Sequence, residues 1–199
     1  LQGVMGEKYA LLNGEAPAVA KAISEHYMPI SASGALPASN VGALLAVSDK
    51  LDTILTFFAA GMIPSGSNDP YALRRQATGI VRIVADKNWN FDLIDTLKAI
   101  INLQDKKQVA PKLDQAGQIT AVSDFIKDRI KQYLDDLGIR YDISDAVTSG
   151  SQTDILFNIS SGQVLQEQKD DDAFKSIIES LTRVLRISKK GHFKDNDLV

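Results

Sequence analysis

The chain has 199 residues, of which 44% are hydrophobic and none is cysteine, and its formal net charge is −3. This size and apolar content suffice for a hydrophobic core in one large or two small domains. The lack of cysteine excludes disulfides, thiolate metal ligands and cysteine nucleophiles. The acidic balance excludes a generally basic nucleic-acid-binding surface, so contact with RNA would require local clusters of cations.

Apolar residues recur at helical spacing along most of the chain, as in Leu51, Leu55 and Phe58. This periodicity predicts an all-α, multi-helical fold. The predicted helices lie at about residues 4–12, 15–27, 40–61, 70–86, 91–103, 119–137, 141–149, 152–166 and 170–188. Residues 29–37 are rich in Ser, Ala and Gly and are predicted to form a loop.

The polar segment at residues 105–117 is the best candidate for a boundary between helical regions, because it is interrupted by Pro111 and lacks apolar periodicity. We therefore predict a first region at residues 1–104, a second at 105–165 and a third at 166–199. No run of about 18 apolar residues is present, so no membrane contact is expected. Because the first residue is Leu1 rather than Met, the chain is interpreted as a piece of a longer protein.

The segment at residues 68–75 begins with a helix-start signal. Asp69 can accept hydrogen bonds from the free amides at the start of a helix, and Pro70 suits the first helical position. Trp89, near the end of that helix, is predicted to anchor it to the helix that follows. His26 is predicted to serve packing or to satisfy the C-terminal end of its helix rather than to act as a base.

Three arginines occupy the helix that follows this signal. Arg75 and Arg82 share a face with Gly79, where another backbone could approach closely. That face could bind phosphates, or it could pair with acidic residues inside the domain. The acidic candidates are Glu15, Asp49 and Asp52.

A second group of cations lies near the C-terminus, with no acidic residue among its members. Some of them form a stripe along one helix, where each phosphate neutralised would add salt-dependent affinity for nucleic acid. Cations at a helix C-terminus also complement the helix dipole, so both interpretations stay open. The group consists of Arg183, Arg186, Lys189, Lys190 and Lys194.

Several segments appear in the order and spacing of a known family. They are residues 2–10 (Gln-Gly-Val-Met-Gly-Glu-Lys-Tyr-Ala), 25–29 (Glu-His-Tyr-Met-Pro), 49–53 (Asp-Lys-Leu-Asp-Thr) and 68–75 (Asn-Asp-Pro-Tyr-Ala-Leu-Arg-Arg). Over residues 1 to about 90, the chain resembles the β subunit of bacterial heterotetrameric glycyl-tRNA synthetase. Residues 182–190 look like the opening of that family's anticodon-binding region, although Arg186 stands where the family usually has Asn.

The resemblance implies that residues 1–104 are the C-terminal part of an HD-like helical domain, that 105–165 form a helical connector and that 166–199 open an anticodon-binding-type region. In HD-superfamily phosphohydrolases a helical Asp supplies the last metal ligand, and Asp49 matches that position. A working HD centre also needs a His and a His-Asp pair. His26 and His192 are the two histidines, and neither precedes an Asp.

We therefore expect no metal and no catalytic residue in this chain, with Asp49 as a degenerate HD position. Two alternatives stay open. The first is a fragment of an HD-superfamily metal-dependent phosphohydrolase, in which upstream residues would complete the metal site. The second is a purely structural helical scaffold.

The resemblance also implies a part in glycine–tRNA ligation. The α subunit is expected to hold the site for glycine, ATP and Mg²⁺ in a heterotetramer of two α and two β subunits, so this chain needs no cofactor. The β subunit is expected to contribute tRNA(Gly) binding and subunit architecture in the cytoplasm. The residues predicted to contact tRNA are Arg74, Arg75, Arg82, Arg183, Arg186, Lys189 and Lys190.

Overall fold

A computed structural model describes residues 3–103 and 112–188, and within these ranges the chain forms nine α-helices and no extended strand. The predicted all-α fold is therefore confirmed. Lys189, Lys190 and Lys194 lie outside the described residues. The helices are α1 (Val4–Leu12), α2 (Pro17–Glu25), α3 (Asn40–Ala59), α4 (Leu73–Lys87), α5 (Leu93–Leu103), α6 (Gln115–Asp136), α7 (Tyr141–Ser149), α8 (Ile155–Gln168) and α9 (Asp172–Ser188).

The core is built around α3, α4 and α6. Large apolar side chains at helical spacing, such as Leu51, Ile54 and Phe58 of α3, are buried there. The same buried cluster continues through α5, α7 and α8, and Trp89 packs against it at the junction of α4 and α5, as predicted. Buried residues therefore lie on both sides of residue 104, and the division into regions stays a prediction.

A buried carboxylate joins α2 to the start of α3. Glu25, only 1% exposed, accepts hydrogen bonds from the amides of Ala38 and Ser39 and from the Ser39 hydroxyl. Ser39 is the N-cap of α3, and its Oγ also accepts a bond from the Gly42 amide at 2.9 Å. A Cβ at Gly42 would collide with the Glu25 carboxylate, so glycine is required at this close approach.

The start of α4 differs from the prediction by three residues. The helix begins at Leu73, because Ala72 takes a left-handed conformation with φ of 54° and ends the preceding turn. Pro70 therefore lies in that turn, and its predicted place at the first helical position is wrong. Asp69 does have the predicted capping role: its Oδ1 accepts from the Leu73 amide at 2.8 Å and its Oδ2 from the Arg74 amide at 3.0 Å.

Two other helices also begin at a residue that differs from the predicted one, and in both a capping side chain marks the start. The helix predicted from residue 119 begins at Gln115, since Asp114 accepts a hydrogen bond from the Gly117 amide at 2.8 Å. The helix predicted from residue 152 begins at Ile155, where Asp154 caps the Phe157 amide at 2.8 Å. Short polar side chains decide these ends, whereas apolar periodicity locates only the body of each helix.

The last described helix, α9, has no buried residue. None of the helices in the described ranges has the length and hydropathy that a membrane span needs.

We expect the substitution Asp69→Ala to lower the free energy of unfolding by about 1 kcal/mol, because two amides at the start of α4 lose their acceptor. Asp124→Ala is the matched control: Asp124 is exposed on α6 and accepts no hydrogen bond in the described ranges, so the change should stay within about 0.5 kcal/mol. Urea denaturation of both variants measures the two values. Equal midpoints for the two variants would contradict the capping role.

Candidate nucleic-acid interface

The three arginines predicted on α4 have different surroundings. Arg82 donates a hydrogen bond from Nη1 to the carbonyl oxygen of Ala32 at 2.6 Å. This bond fastens the loop between α2 and α3 to α4. Arg82 therefore makes an intramolecular contact, with a backbone carbonyl rather than an acidic side chain as its partner, and its predicted contact with tRNA stays a prediction.

Arg74 and Arg75 stand apart from Arg82. Within residues 3–103 and 112–188, neither guanidinium forms a hydrogen bond or an ion pair. The acidic partners considered from the sequence, Glu15, Asp49 and Asp52, do not pair with either of them there. Arg75 is exposed and Arg74 is half-buried, so both cations on this rigid helix remain accessible.

Arg75 borders a cleft of about 220 Å³ between α3, α4 and the segment that follows α2. The cleft brings together three charged side chains from two helices, Asp49 and Lys50 of α3 and Arg75 of α4. The residues that line it are Tyr27, Pro29, Ile30, Asp49, Lys50, Thr53, Arg75 and Gln76.

A buried ammonium group lies beneath this cleft. Lys50 is only 5% exposed, and its Nζ donates to the carbonyl oxygen of His26 at 2.9 Å, where α2 has just ended. Burial lowers the pKa of Lys50 to about 8, and the neighbouring Asp49 carboxylate opposes part of that shift. Sequence reasoning missed Lys50, although it lies in register with the buried Ala46 and Ile54, and a lysine on an apolar stripe was the available signal.

Gly79 makes this arrangement possible. A Cβ on Gly79 would lie 3.1 Å from Cδ of Pro29 and 3.3 Å from Cε of Lys50. A close approach was predicted at Gly79, and the approaching groups are the Pro29 ring and the Lys50 side chain rather than the predicted second backbone. His26 also has the predicted structural role, because its Nδ1 lies 2.7 Å from the carbonyl oxygen of Ile23 and its ring contacts Tyr27.

Asp49, the residue at the degenerate HD position, is exposed on α3. In the part of the chain that the structure describes, no group of three or more His, Asp or Glu side chains is arranged to hold a metal ion. His192 lies outside the described residues.

The C-terminal cations that the structure describes are both exposed on α9. Arg183 forms an ion pair with Glu179, with Nη2 and Oε2 4.0 Å apart and both side chains more than two-thirds exposed. An exposed pair at this distance contributes little to stability, so Arg183 can exchange Glu179 for another anion. Arg186 forms no ion pair within the described ranges and follows three residues later on the same helix.

Comparison with known proteins shows the family to which the chain belongs. The family described as "Glycyl-tRNA synthetase beta subunit" matches residues 1–149 of the chain. The chain belongs to this family. The resemblance seen in the motifs of its first half is thereby confirmed, and the family match gives no support to the phosphohydrolase alternative.

Individual relatives are similar to the chain over the residues beyond 149 as well. A protein from Levilactobacillus brevis named "Glycine--tRNA ligase beta subunit" is 62% identical over 96% of the chain and 28% of its own length. Proteins of the same name from Lactiplantibacillus plantarum and Limosilactobacillus reuteri are 50% and 51% identical over 100% of the chain, covering 28% and 29% of their own lengths. The chain thus spans less than a third of the length of these relatives.

We expect wild-type stability to increase relative to that of Lys50→Met as pH rises from about 8 towards 10.5, the ordinary lysine pKa. In this window the folded chain has lost the Lys50 proton while the unfolded chain still holds it. The unfolded state therefore binds more protons, and folding becomes more favourable with rising pH. Urea unfolding of both proteins at several pH values between about 7 and 9.5 measures the effect.

Groups that titrate in both proteins contribute equally to the two unfolding free energies, so their effect cancels from the difference. A difference in unfolding free energy that stays constant over the window would show that Lys50 does not titrate as its burial requires.

Proposed function

We propose that this chain is the part of a glycyl-tRNA synthetase β subunit that helps to bind tRNA(Gly) and contributes to subunit architecture, with no catalytic residue of its own. The observation that carries the proposal is the pair of accessible guanidinium groups, Arg74 and Arg75, on a helix whose opposite face is buried, in a member of a tRNA synthetase family. Cations held on a rigid helix bind phosphates without losing much freedom.

The complete enzyme would be a heterotetramer of two α and two β subunits in the cytoplasm. Its α subunit would bind glycine, ATP and Mg²⁺ and form the adenylate. The β subunit would act on the RNA step, so the charge of this chain as a whole matters less than where its cations lie. This division of labour is consistent with a net charge of −3 beside local groups of arginines that are unpaired in the described ranges, as Arg74 and Arg75 are, or weakly paired, as Arg183 is.

Within the chain, we propose that residues 1–104 form part of an HD-like helical domain, that 105–165 connect it onward and that 166–199 open an anticodon-binding-type region. Arg183 and Arg186 on α9 would then belong to a second RNA contact, separate from the one on α4. Their exposure and the weak Glu179 pairing support this role. Lys189 and Lys190 would extend the same cluster.

We expect a β subunit with Arg183, Arg186, Lys189 and Lys190 replaced by Gln, paired with its α subunit, to bind tRNA(Gly) more weakly and with a flatter salt dependence. Each lost phosphate contact should reduce the salt slope by about one. Glycine activation without tRNA should stay normal, because adenylate formation is assigned to the other subunit. Filter binding at several salt concentrations and ATP–pyrophosphate exchange measure the two quantities.

The matched control removes four positive charges from lysines that are each paired with an aspartate. These are Lys98, Lys131, Lys169 and Lys175, all replaced by Gln. A similar loss of affinity in both variants would mean that net charge alone matters. No loss in the first variant would show that the cluster on α9 serves only the end of its helix.

A further inference from the structure

The cleft beside Arg75 combines charges in a way that internal packing does not require. The Arg75 guanidinium and the Asp49 carboxylate both line it and are both exposed, yet they form no ion pair with each other. The Arg75 guanidinium has no hydrogen-bond partner in the described ranges, and its planar fork suits a phosphate group. Two opposite charges that border one cleft can be satisfied by one ligand.

The charges define the chemistry of that ligand. A guanidinium attracts an anion, whereas a carboxylate repels an anion and accepts hydrogen bonds from hydroxyl groups. A ligand that suits both walls carries an anionic group and, a short distance away, a hydrogen-bond donor such as a hydroxyl group. The repeating unit of RNA has this pattern in its phosphate and its ribose 2′-hydroxyl.

The size of the cleft favours a segment of a polymer over a free small molecule. Its volume of about 220 Å³ is below the range of about 300–1,000 Å³ that is usual for pockets that enclose small ligands. At its rim lie Tyr27, 39% exposed, and Ile30, 66% exposed, which offer apolar surface to a sugar or a base. Such a cleft can hold one unit of a strand whose neighbours lie outside.

We propose that this cleft binds one sugar–phosphate unit of an RNA strand, with the phosphate on Arg75 and the ribose 2′-hydroxyl donating to Asp49. The proposal rests on the tRNA-binding function proposed above and adds to it a site that distinguishes RNA from DNA. Asp49, in place of a metal ligand, serves here as a hydrogen-bond acceptor. Lys50, tethered to the His26 carbonyl beneath the cleft, limits the net negative charge that Asp49 brings to the site.

The test uses the complete β subunit paired with its α subunit, and two probes of one sequence: a tRNA(Gly) transcript and its all-DNA copy. We expect Arg75→Gln to weaken binding of both probes about threefold to tenfold and to reduce the salt slope by about one. We expect Asp49→Ala, which removes the acceptor, to lower the ratio of RNA to DNA affinity by about threefold or more. That ratio is insensitive to a general change in charge, which acts on both probes alike.

Lys98→Gln is the control, since Lys98 is an exposed lysine of α5 that does not line the cleft and should leave both affinities unchanged. Arg75 and Asp49 are themselves exposed, so neither variant removes core packing, and thermal unfolding checks this. Ribose 5-phosphate is the probe for a free ligand. Tight binding of ribose 5-phosphate, lost in Arg75→Gln while RNA affinity stays intact, would overturn the assignment to an RNA strand.

The outcomes separate this inference from the function on which it rests. If neutralising the cluster on α9 weakens tRNA binding while Arg75→Gln and Asp49→Ala leave both the affinity and the RNA-to-DNA ratio unchanged, the cleft is not an RNA site but the proposed function stands. If the wild-type enzyme binds tRNA no better than it binds the DNA copy and no cation variant alters binding, both proposals fail.

Discussion

The close packing of α3 against α4 and the segment after α2 is the constraint on which the candidate site depends. At Gly79 the absence of a side chain lets the Pro29 ring and the Lys50 side chain approach α4. The Lys50 ammonium then reaches the His26 carbonyl at the end of α2, so that a hydrogen bond compensates part of the cost of burying a charge. Three chain segments are thereby held in one arrangement around the cleft.

This packing also gives different surroundings to arginines of α4 that look equivalent in the sequence. Arg82 donates a hydrogen bond to the carbonyl oxygen of Ala32, in the loop between α2 and α3. Arg75 lies two turns earlier on α4, lines the cleft and has no partner in the described ranges. One Arg82 donor is already used by the Ala32 carbonyl, whereas Arg74 and Arg75 are the arginines of α4 whose guanidinium groups have no partner in the described ranges. A chain with a negative net charge can thus present local positive sites.

Much of the fold could be predicted because helical periodicity is a local property. The body of each helix, the all-α class and the capping role of Asp69 follow from residues within a few positions of one another. The predicted start of α4 was wrong because the left-handed conformation of Ala72 has no sequence signal comparable to a glycine. The burial of Glu25 was missed because its partners, Ala38 and Ser39, lie more than ten residues away on another segment.

The sequence by itself determined the helical class, the family and the candidate cations, since these depend on residue types, their spacing and motifs in order. Only the tertiary structure decided which cations are used internally and which remain accessible. Lys50, Asp49 and Arg75 meet at one cleft because α3 and α4 pack at Gly79, a contact between residues far apart in sequence. Charge–charge and hydrogen-bond energies depend on distances across such contacts, and residue spacing along the chain does not specify those distances.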